Sequence, residues 1–219
     1  MAKFVVGVYI ENPEIFSSLV KILKRKKVAF TLNFDIEKPG ADLVITDSPW
    51  KIKGNTRILV ISKPSEAEYV VERAILASKG AYMFNSLLIG VDPGENIGFA
   101  VIGDGEFIKG KVFRNIKDLI SEVKSIIDNL LFIKCRIRIG FRNQYFKKIL
   151  AEILKIEKPN VIVELVDEKT VSRTIPKLVL KTTKVPRDVV SAVNIAFVKG
   201  VEVSGNAAED HYLKEKHSA

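Results

Sequence analysis

The sequence predicts an α/β protein in two parts: a small parallel α/β layer over residues 1–85, then a larger mixed-sheet domain over residues 86–203. Three observations predict this. Strand and helix signals alternate through the first part, and the pattern restarts after Gly80–Ser86 with a hairpin built on Gly103-Asp104-Gly105. Helix and strand signals then alternate again as far as Lys199.

The elements of the first part follow in order. Lys3–Tyr9 is an apolar, β-branched run that fits a buried strand. Asn12 then reads as a helix cap with Pro13 at the first helical position, and Ile15, Leu19, Ile22 and Leu23 keep helical spacing to about Lys26. Short strands are expected at Ala29–Asn33, Asp42–Thr46 and Thr56–Ile61, and a helix over Glu66–Lys79, with parallel pairing. There is no glycine-rich phosphate loop in this part. Asp35, Asp42 and Asp47 read as solvated loop charges, and Trp50, beside Pro49, as a packing anchor.

In the second part, strands are expected at Leu87–Asp92, Ile97–Ile102 and Glu106–Phe113. A helix over Ile116–Asn129 carries Ile116, Leu119, Ile120, Val123, Ile126 and Ile127 on one face. Strand Lys134–Phe141, helix Asn143–Lys155, strand Asn160–Val166 and helix Val189–Lys199 complete the domain. Three antiparallel strands followed by α-β-α-β-α is the element order of an RNase H-like fold. Lys134, Arg136 and Arg138 alternate with Cys135, Ile137 and Ile139, which gives this central strand one basic face. Such a face is at odds with a fold whose central strand is apolar on both sides. Residues 204–219 read as a flexible polar tail.

Composition narrows the function classes. The 219 residues are 47% hydrophobic and 28% charged, the balance of an ordinary globular chain. No apolar run reaches the roughly 18–20 residues of a membrane span, and Glu11 interrupts the N-terminal run too early for a signal peptide. A cytoplasmic protein without membrane contact is expected. Thirty-five Lys+Arg against 26 Asp+Glu leave a net charge of +9, which favours polyanionic partners, nucleic acid first. Cys135 is the only cysteine and excludes an internal disulfide or a cysteine-cluster metal site, while His211 and His217 sit in the polar tail.

Three acidic strings carry possible chemistry. In LIGVDPGENIGFA an apolar strand delivers Asp92 at its C-terminal end, Pro93-Gly94 turns the chain, and Gly98 lets the next strand approach closely. A carboxylate there is suited to metal ligation or general base work, or to capping the turn. In VIVELVDEKTVS a second strand ends in Asp167 and Glu168. Glu164, Val166 and Glu168 share one face if the strand persists, and Asp167 takes the other. Glu164 inside the apolar run must be paired, exposed or metal-bound, and Lys169 could neutralise Glu168 as a surface pair. In VPRDVVSAVNIAF, Asp188 stands in the first turn of the last helix, where by itself it reads as a cap.

Taken together, Asp92-Pro93-Gly94 with Gly98, Asp167-Glu168-Lys169, and Asp188 with Ser191-Ala192 resemble the RuvC/YqgF branch of the RNase H-like nucleases over residues 86–200. The resemblance implies an acidic triad of Asp92, Glu168 and Asp188 as catalytic and metal-binding residues. It further implies one or two Mg²⁺ or Mn²⁺ ions and phosphodiester hydrolysis leaving 5′-phosphate and 3′-hydroxyl ends. RuvC-like resolvases place an acid at the end of the strand after the first helix, where this sequence has Gly140 and Arg142. The pattern is thus nearer YqgF, which favours precursor RNA over a Holliday junction without deciding between RNA and DNA. Resolvases of this branch act as dimers, so a homodimer is a possible state.

Basic residues supply the expected nucleic-acid contacts. Lys169, Arg173, Lys177, Lys181, Lys184 and Arg187 recur at helical spacing between two of the acids, with no acid among them. Phe141, Arg142 and Tyr145 read first as core residues, with base stacking near the site as the other reading, and Arg142 joins the phosphate contacts. The leading expectation is a Mg²⁺- or Mn²⁺-dependent endonuclease acting on structured DNA or RNA, with residues 1–85 as a substrate-binding or partner domain. The alternative is a non-catalytic nucleic-acid-binding or scaffold protein that kept the fold.

Overall fold

The computed structural model describes residues 4–32, 35, 37, 40–142, 144–169 and 185–203. The expected polar tail, residues 204–219, lies outside the described residues. The chain divides into two compact units, residues 1–83 and 84–219.

The first unit is a four-stranded parallel sheet in the order β2-β1-β3-β4, from β1 (Val6–Tyr9), β2 (Phe30–Thr31), β3 (Leu43–Thr46) and β4 (Ile58–Val60). Helix α1 (Pro13–Arg25) starts where the sequence places it: Asn12 Oδ1 accepts from the Glu14 and Ile15 amides at 2.9 and 3.2 Å. Its Ile15, Leu19 and Leu23 join Val6, Val8, Leu43 and Ile45 in one core, against which α2 (Ala67–Ser78) packs Val70, Val71 and Ala74. Two expectations fail here. Trp50 is 74% exposed and anchors nothing, because it lies on a short 3₁₀ turn leaving the sheet. Asp42 and Asp47 are not idle loop charges: Asp42 accepts the Val5 amide at 2.8 Å and Asp47 the Asn12 amide at 2.9 Å, tying the β1 strand to β3.

The second unit is a six-stranded mixed sheet in the order β10-β9-β8-β5-β6-β7. Strands β5 (Phe84–Asp92), β6 (Ile97–Gly103) and β7 (Glu106–Phe113) form an antiparallel meander. The β6–β7 turn has Asp104 at φ 47° and Gly105 at φ 84°, the doubly left-handed geometry that matches the twist of a two-residue hairpin. After α3 (Ile116–Asn129), β8 (Phe132–Gly140) pairs parallel to β5; after α4 (Phe146–Leu154), β9 (Val161–Val166) pairs parallel to β8. Helix α5 (Arg187–Phe197) follows, and β10 (Val201–Val203) closes the edge antiparallel to β9. This strand order and pairing is the RNase H-like arrangement. The three-residue β10 has no periodic signal long enough to read, and α4 begins at Phe146 rather than Asn143.

Alternation separates the two faces of this sheet. Leu87, Ile89, Val91, Phe99, Val101, Cys135, Ile137 and Ile139 are fully buried, on the face away from α5. Cys135 is thus a small core hydrophobe, and burial pushes its thiol up to about 12. The other face meets α5 through small residues: Ala100 and Ile102 pack with Ala192, Val193 and Ala196, and a Cβ added at Gly90 would collide with the Ala192 carbonyl oxygen.

The basic face of β8 now has its reason. Arg138 pairs in register with Glu164 on β9 and donates from Nε to Glu164 Oε2 at 2.7 Å, with Arg136 Nε at 3.0 Å from Oε1. Arg138 also donates to the Ala196 carbonyl at 2.6 Å, one of the open acceptors at the C-terminal end of α5, where a cation is favoured. The Gly200 amide completes the shell of Glu164 at 3.2 Å. Burial by itself would raise the Glu164 pKa; the Arg138 hydrogen bond, the Gly200 amide and the two guanidinium charges outweigh it and hold the carboxyl below its ordinary value.

Glu164→Ala is expected to destabilise this unit by about 3–5 kcal/mol, because it strands the buried Arg138 guanidinium. With the Glu164 pKa depressed, the stabilisation is present above the unfolded carboxylate pKa and is lost as pH falls through the folded one. Denaturant melts of parent and variant at neutral and acidic pH check both statements; equal midpoints at neutral pH would refute them.

Candidate active site

The C-terminal end of β5 carries Asp92, half-buried, on the face that α5 covers. Two neighbours approach it, each through a glycine. Gly98 pairs with Asp92 across the β5–β6 ladder, and a Cβ there would collide with the Asp188 carbonyl oxygen. Gly98 therefore serves the helix as well as the neighbouring strand: its missing side chain lets the first turn of α5 settle beside Asp92, whose Cβ an added carbon would meet at 3.2 Å. Asp188 occupies the second helical position, in the first turn of α5, where a carboxylate complements the helix dipole, while Pro186 stands at the N-cap.

The second glycine is Gly140, the last residue of β8 and one step beyond the Val91–Ile139 pair. An added Cβ would stand 2.5 Å from Glu168 Oε1, so the Glu168 carboxylate lies over the end of β8, next to the strand that bears Asp92. Adjacent strands are about 4.8 Å apart, which sets the scale of that separation. The carboxylate over the end of β8 comes from the loop that follows β9. Strand β9 stops at Val166, so the expected alternation of Glu168 with Glu164 does not extend to it. The Arg142 amide donates to Glu168 Oε1 at 3.4 Å, and Arg142 Nε reaches Asp167 Oδ1 at 3.0 Å. Asp167 also accepts the Lys169 amide at 2.9 Å. Glu164, by contrast, is spent on Arg136 and Arg138.

The electrostatics register this gathering of acids. The Asp92 pKa is raised from 3.8 to about 6, first by burial, then by the Glu168 charge and, to a lesser degree, by Asp188. A hydrogen bond from Ser191 works in the opposite direction, favouring the carboxylate. Ser191 stands three residues after Asp188, on the same helical face, and that spacing was the signal that could have assigned it to the site.

Among the described residues, no three Asp, Glu, His or Cys side chains are grouped so that, as they stand, they could hold a metal ion. The donor set nevertheless suits one kind of ion. It consists of carboxylate oxygens alone, which fits a hard divalent cation, and such a cation would favour the ionised form of Asp92 that burial, and then the neighbouring charges, disfavour. Of the expected nucleic-acid contacts, Arg142, Lys169 and Arg187 are exposed near these loops, whereas Arg173, Lys177, Lys181 and Lys184 lie outside the described residues. Phe141 packs edge-on against Phe146 with ring centroids 6.2 Å apart, and Tyr145 is 38% exposed.

No protein-family model and no curated protein matches the sequence. Solved structures give loose likenesses. RuvC of T. thermophilus, in complex with a Holliday junction substrate, has 16% identity and a TM-score of 0.39, over 50% of this chain and 90% of that one. Argonaute of Marinitoga piezophila with a 5′ OH guide RNA has 13% identity and a TM-score of 0.30, over 76% of this chain and 40% of that one. The same Argonaute with guide RNA and target DNA has 12% identity and a TM-score of 0.31, again over 76% and 40%. The chain thus spans less than half of the Argonaute chains it matches.

A raised carboxyl pKa fixes the sign of a pH effect. The folded state holds the Asp92 proton more tightly than the unfolded state, so its ionisation costs stability progressively as pH rises from about 4 to about 6. In metal-free buffer, Asp92→Asn is expected to stabilise the protein at pH above about 7 by about 1 kcal/mol, the full shift being discounted because the carboxyl is partly open to solvent. The gain should shrink towards zero near pH 4. Thermal melts across this range check it, and a variant less stable than the parent at neutral pH would show that Asp92 is held by favourable contacts.

Proposed function

We propose that this protein is a divalent-metal-dependent nuclease that hydrolyses phosphodiester bonds in structured nucleic acid, with Asp92, Glu168 and Asp188 as its metal ligands. The observation that carries this reading is geometric: Gly98 lets the Asp188 backbone settle beside Asp92, and Gly140 leaves room for the Glu168 carboxylate over the end of the adjacent strand. The raised pKa of Asp92, due first to burial and then in part to the Glu168 and Asp188 charges, is consistent with it. Glu164, paired with its two arginines, behaves otherwise, its carboxyl being held below the ordinary value.

Each residue has a definable task. Mg²⁺ or Mn²⁺ bound by the three carboxylates would supply a Lewis acid that polarises the phosphoryl group and lowers the pKa of an attacking water. Asp92 would be the fixed ligand, since it belongs to a strand and is oriented by Ser191. Glu168 would be the adjustable one, from a loop that Asp167 and Arg142 hold in place. Attack of water on phosphorus with departure of the 3′ oxygen would leave 5′-phosphate and 3′-hydroxyl ends. Arg142, Lys169 and Arg187 would face the flanking phosphates.

The net charge of +9 supports a polyanionic substrate, and no helix among the described residues is long and apolar enough to cross a membrane. Within this reading, residues 1–83 would bind substrate or a partner. One observation favours a second reading, a nucleic-acid-binding scaffold that retains the fold without turnover. Glu168 Oε1 already accepts the Arg142 amide, so this carboxylate has a partner within the protein that a metal would have to share or displace.

Incubation with labelled four-way junction, duplex, single-stranded DNA and structured RNA, in Mg²⁺, Mn²⁺ or EDTA, separates the two. Cleavage should require metal and fall by more than about 10²-fold in each of Asp92→Asn, Glu168→Gln and Asp188→Asn, beyond the ~10–100-fold of an outer-sphere change. Binding without cleavage on every substrate, unaltered by Asp92→Asn, would establish the scaffold.

A further inference from the structure

Trp50 is the only tryptophan in the chain, and it is 74% exposed. A single exposed aliphatic residue is ordinary, but an indole is highly buried on average and offers one of the largest apolar surfaces of any side chain. Three observations bear on why this one faces water.

The first is rigidity. Trp50 lies in the 3₁₀ turn Pro49–Lys51, and the turn is fixed at its entry and its exit. Ser48, before it, is buried, and its hydroxyl donates to Glu11 Oε2 at 2.7 Å. Ile52, after it, is buried too, and its amide donates to the Pro49 carbonyl at 3.2 Å. Pro49 locks a further backbone angle next to the tryptophan. The indole is thus presented on a turn anchored at both ends, and little freedom is lost when a flat partner meets it.

The second is place. The strands of this first sheet all run parallel, so β1, β3 and β4 deliver the residues that follow them to one edge. The chain passes from β1 to β2 on one side and then to β3 on the other, so the strand order reverses between β1 and β3. Open parallel sheets receive ligands outside the carboxyl ends of their strands at such a reversal. Trp50 follows the end of β3 at Thr46 by one short turn.

The third is company. From Ser48 to Ser65 the chain carries Lys51, Lys53, Arg57 and Lys63 and no acid. The acids that stand at the same edge are engaged within the protein. Asp47 accepts the Asn12 amide at 2.9 Å, Glu11 pairs with Lys51, and Glu66 accepts the Ser62 amide at 2.8 Å. Within residues 48–57, Trp50 is the one exposed apolar side chain, among Lys51, Lys53, Gly54, Asn55 and Arg57. A protein interface needs a broader apolar centre around such a ring. A flat ring in a basic, acid-free segment suits a nucleobase carried on a phosphate backbone.

We propose that Trp50 is a base-stacking contact for single-stranded nucleic acid, by which the first unit holds an unpaired segment of the substrate. This rests on the nucleic-acid half of the function proposed above and not on catalysis.

Because no other tryptophan contributes, the tryptophan emission of the full-length protein reports on Trp50 alone. An oligothymidylate of about 12 nucleotides, within the span of typical single-strand sites, is titrated in EDTA at about 0.1 M salt. Stacking should quench the emission along the same curve that the anisotropy of a labelled strand follows. Trp50→Ala should weaken strand binding by about 5–150-fold and Trp50→Phe by less. A duplex of equal length, whose bases are already stacked on one another, should leave the emission nearly unchanged. Equal melting temperatures of parent and variant keep the comparison valid; if Trp50→Ala melts early, Trp50→Leu removes the ring and keeps the bulk. Strand binding without quenching, or with equal affinity in the variant, overturns the Trp50 contact and leaves the nucleic-acid reading intact. Binding to duplex, four-way junction or RNA hairpin but not to the strand does the same, whereas no binding to any of the four overturns both. A blue shift of the emission as protein concentration rises, with no nucleic acid present, assigns the ring to a contact between copies of this chain and also overturns the proposal.

Discussion

The close approach of α5 to the sheet is the constraint on which the second unit depends. A helix normally stands about a side chain's depth away from a sheet, but here Gly90 and Gly98 bring its backbone almost onto β5 and β6. Ala100, Ala192 and Ala196 keep the rest of the interface thin. Two consequences follow from one geometry. The interface is tight enough that any added carbon must displace backbone, not merely a flexible side chain. And the N-terminus of α5 is delivered to the one strand end that carries a carboxylate, so that packing and site assembly are the same event.

Charge on the α5-covered face is divided according to distance from that interface. Where α5 ends, the sheet on this side is polar, and Arg136, Arg138 and Glu164 satisfy one another, the Ala196 carbonyl and the Gly200 amide. Buried ion pairs of this kind add little net stability over an apolar core, but they are costly to break, which gives them a role in fixing register between β8 and β9. At the end of β5, Asp92 has no such arginine clamp among the described residues. Asp92 is raised where Glu164 is lowered, though both are acids on the α5-facing side of one sheet. The difference lies in the neighbours: carboxylates in one case, guanidinium groups in the other.

The rise at Asp92 comes first from burial and then from the Glu168 and Asp188 charges, offset in part by a hydrogen bond from Ser191, at a strand end whose neighbouring loops carry the exposed Arg142, Lys169 and Arg187.

Much of this architecture was local enough to read in the chain. Asn12-Pro13 announces α1 because capping is settled within four residues, and Asp104-Gly105 announces the hairpin because only such residues accept the required left-handed φ. The apolar faces of α3 and α5 follow from period alone, and Asp92, Glu168 and Asp188 stand out because each ends or opens an apolar element. What the chain could not disclose depends on neighbours distant in sequence. Arg138 looked misplaced in a central strand until Glu164 stood opposite it in register. Gly98 and Gly140 looked like turn or strand glycines, yet each is small for the sake of a residue tens of positions away. Trp50 looked like core and is exposed, since an aromatic beside a proline says nothing about which way a turn leaves the sheet. Sequence by itself thus determined the elements and marked Asp92, Glu168 and Asp188 as candidates, because propensity, period and capping act over a few residues. Only the tertiary structure decided which acids face one another and which are neutralised, because electrostatic and steric partners are chosen by register and packing.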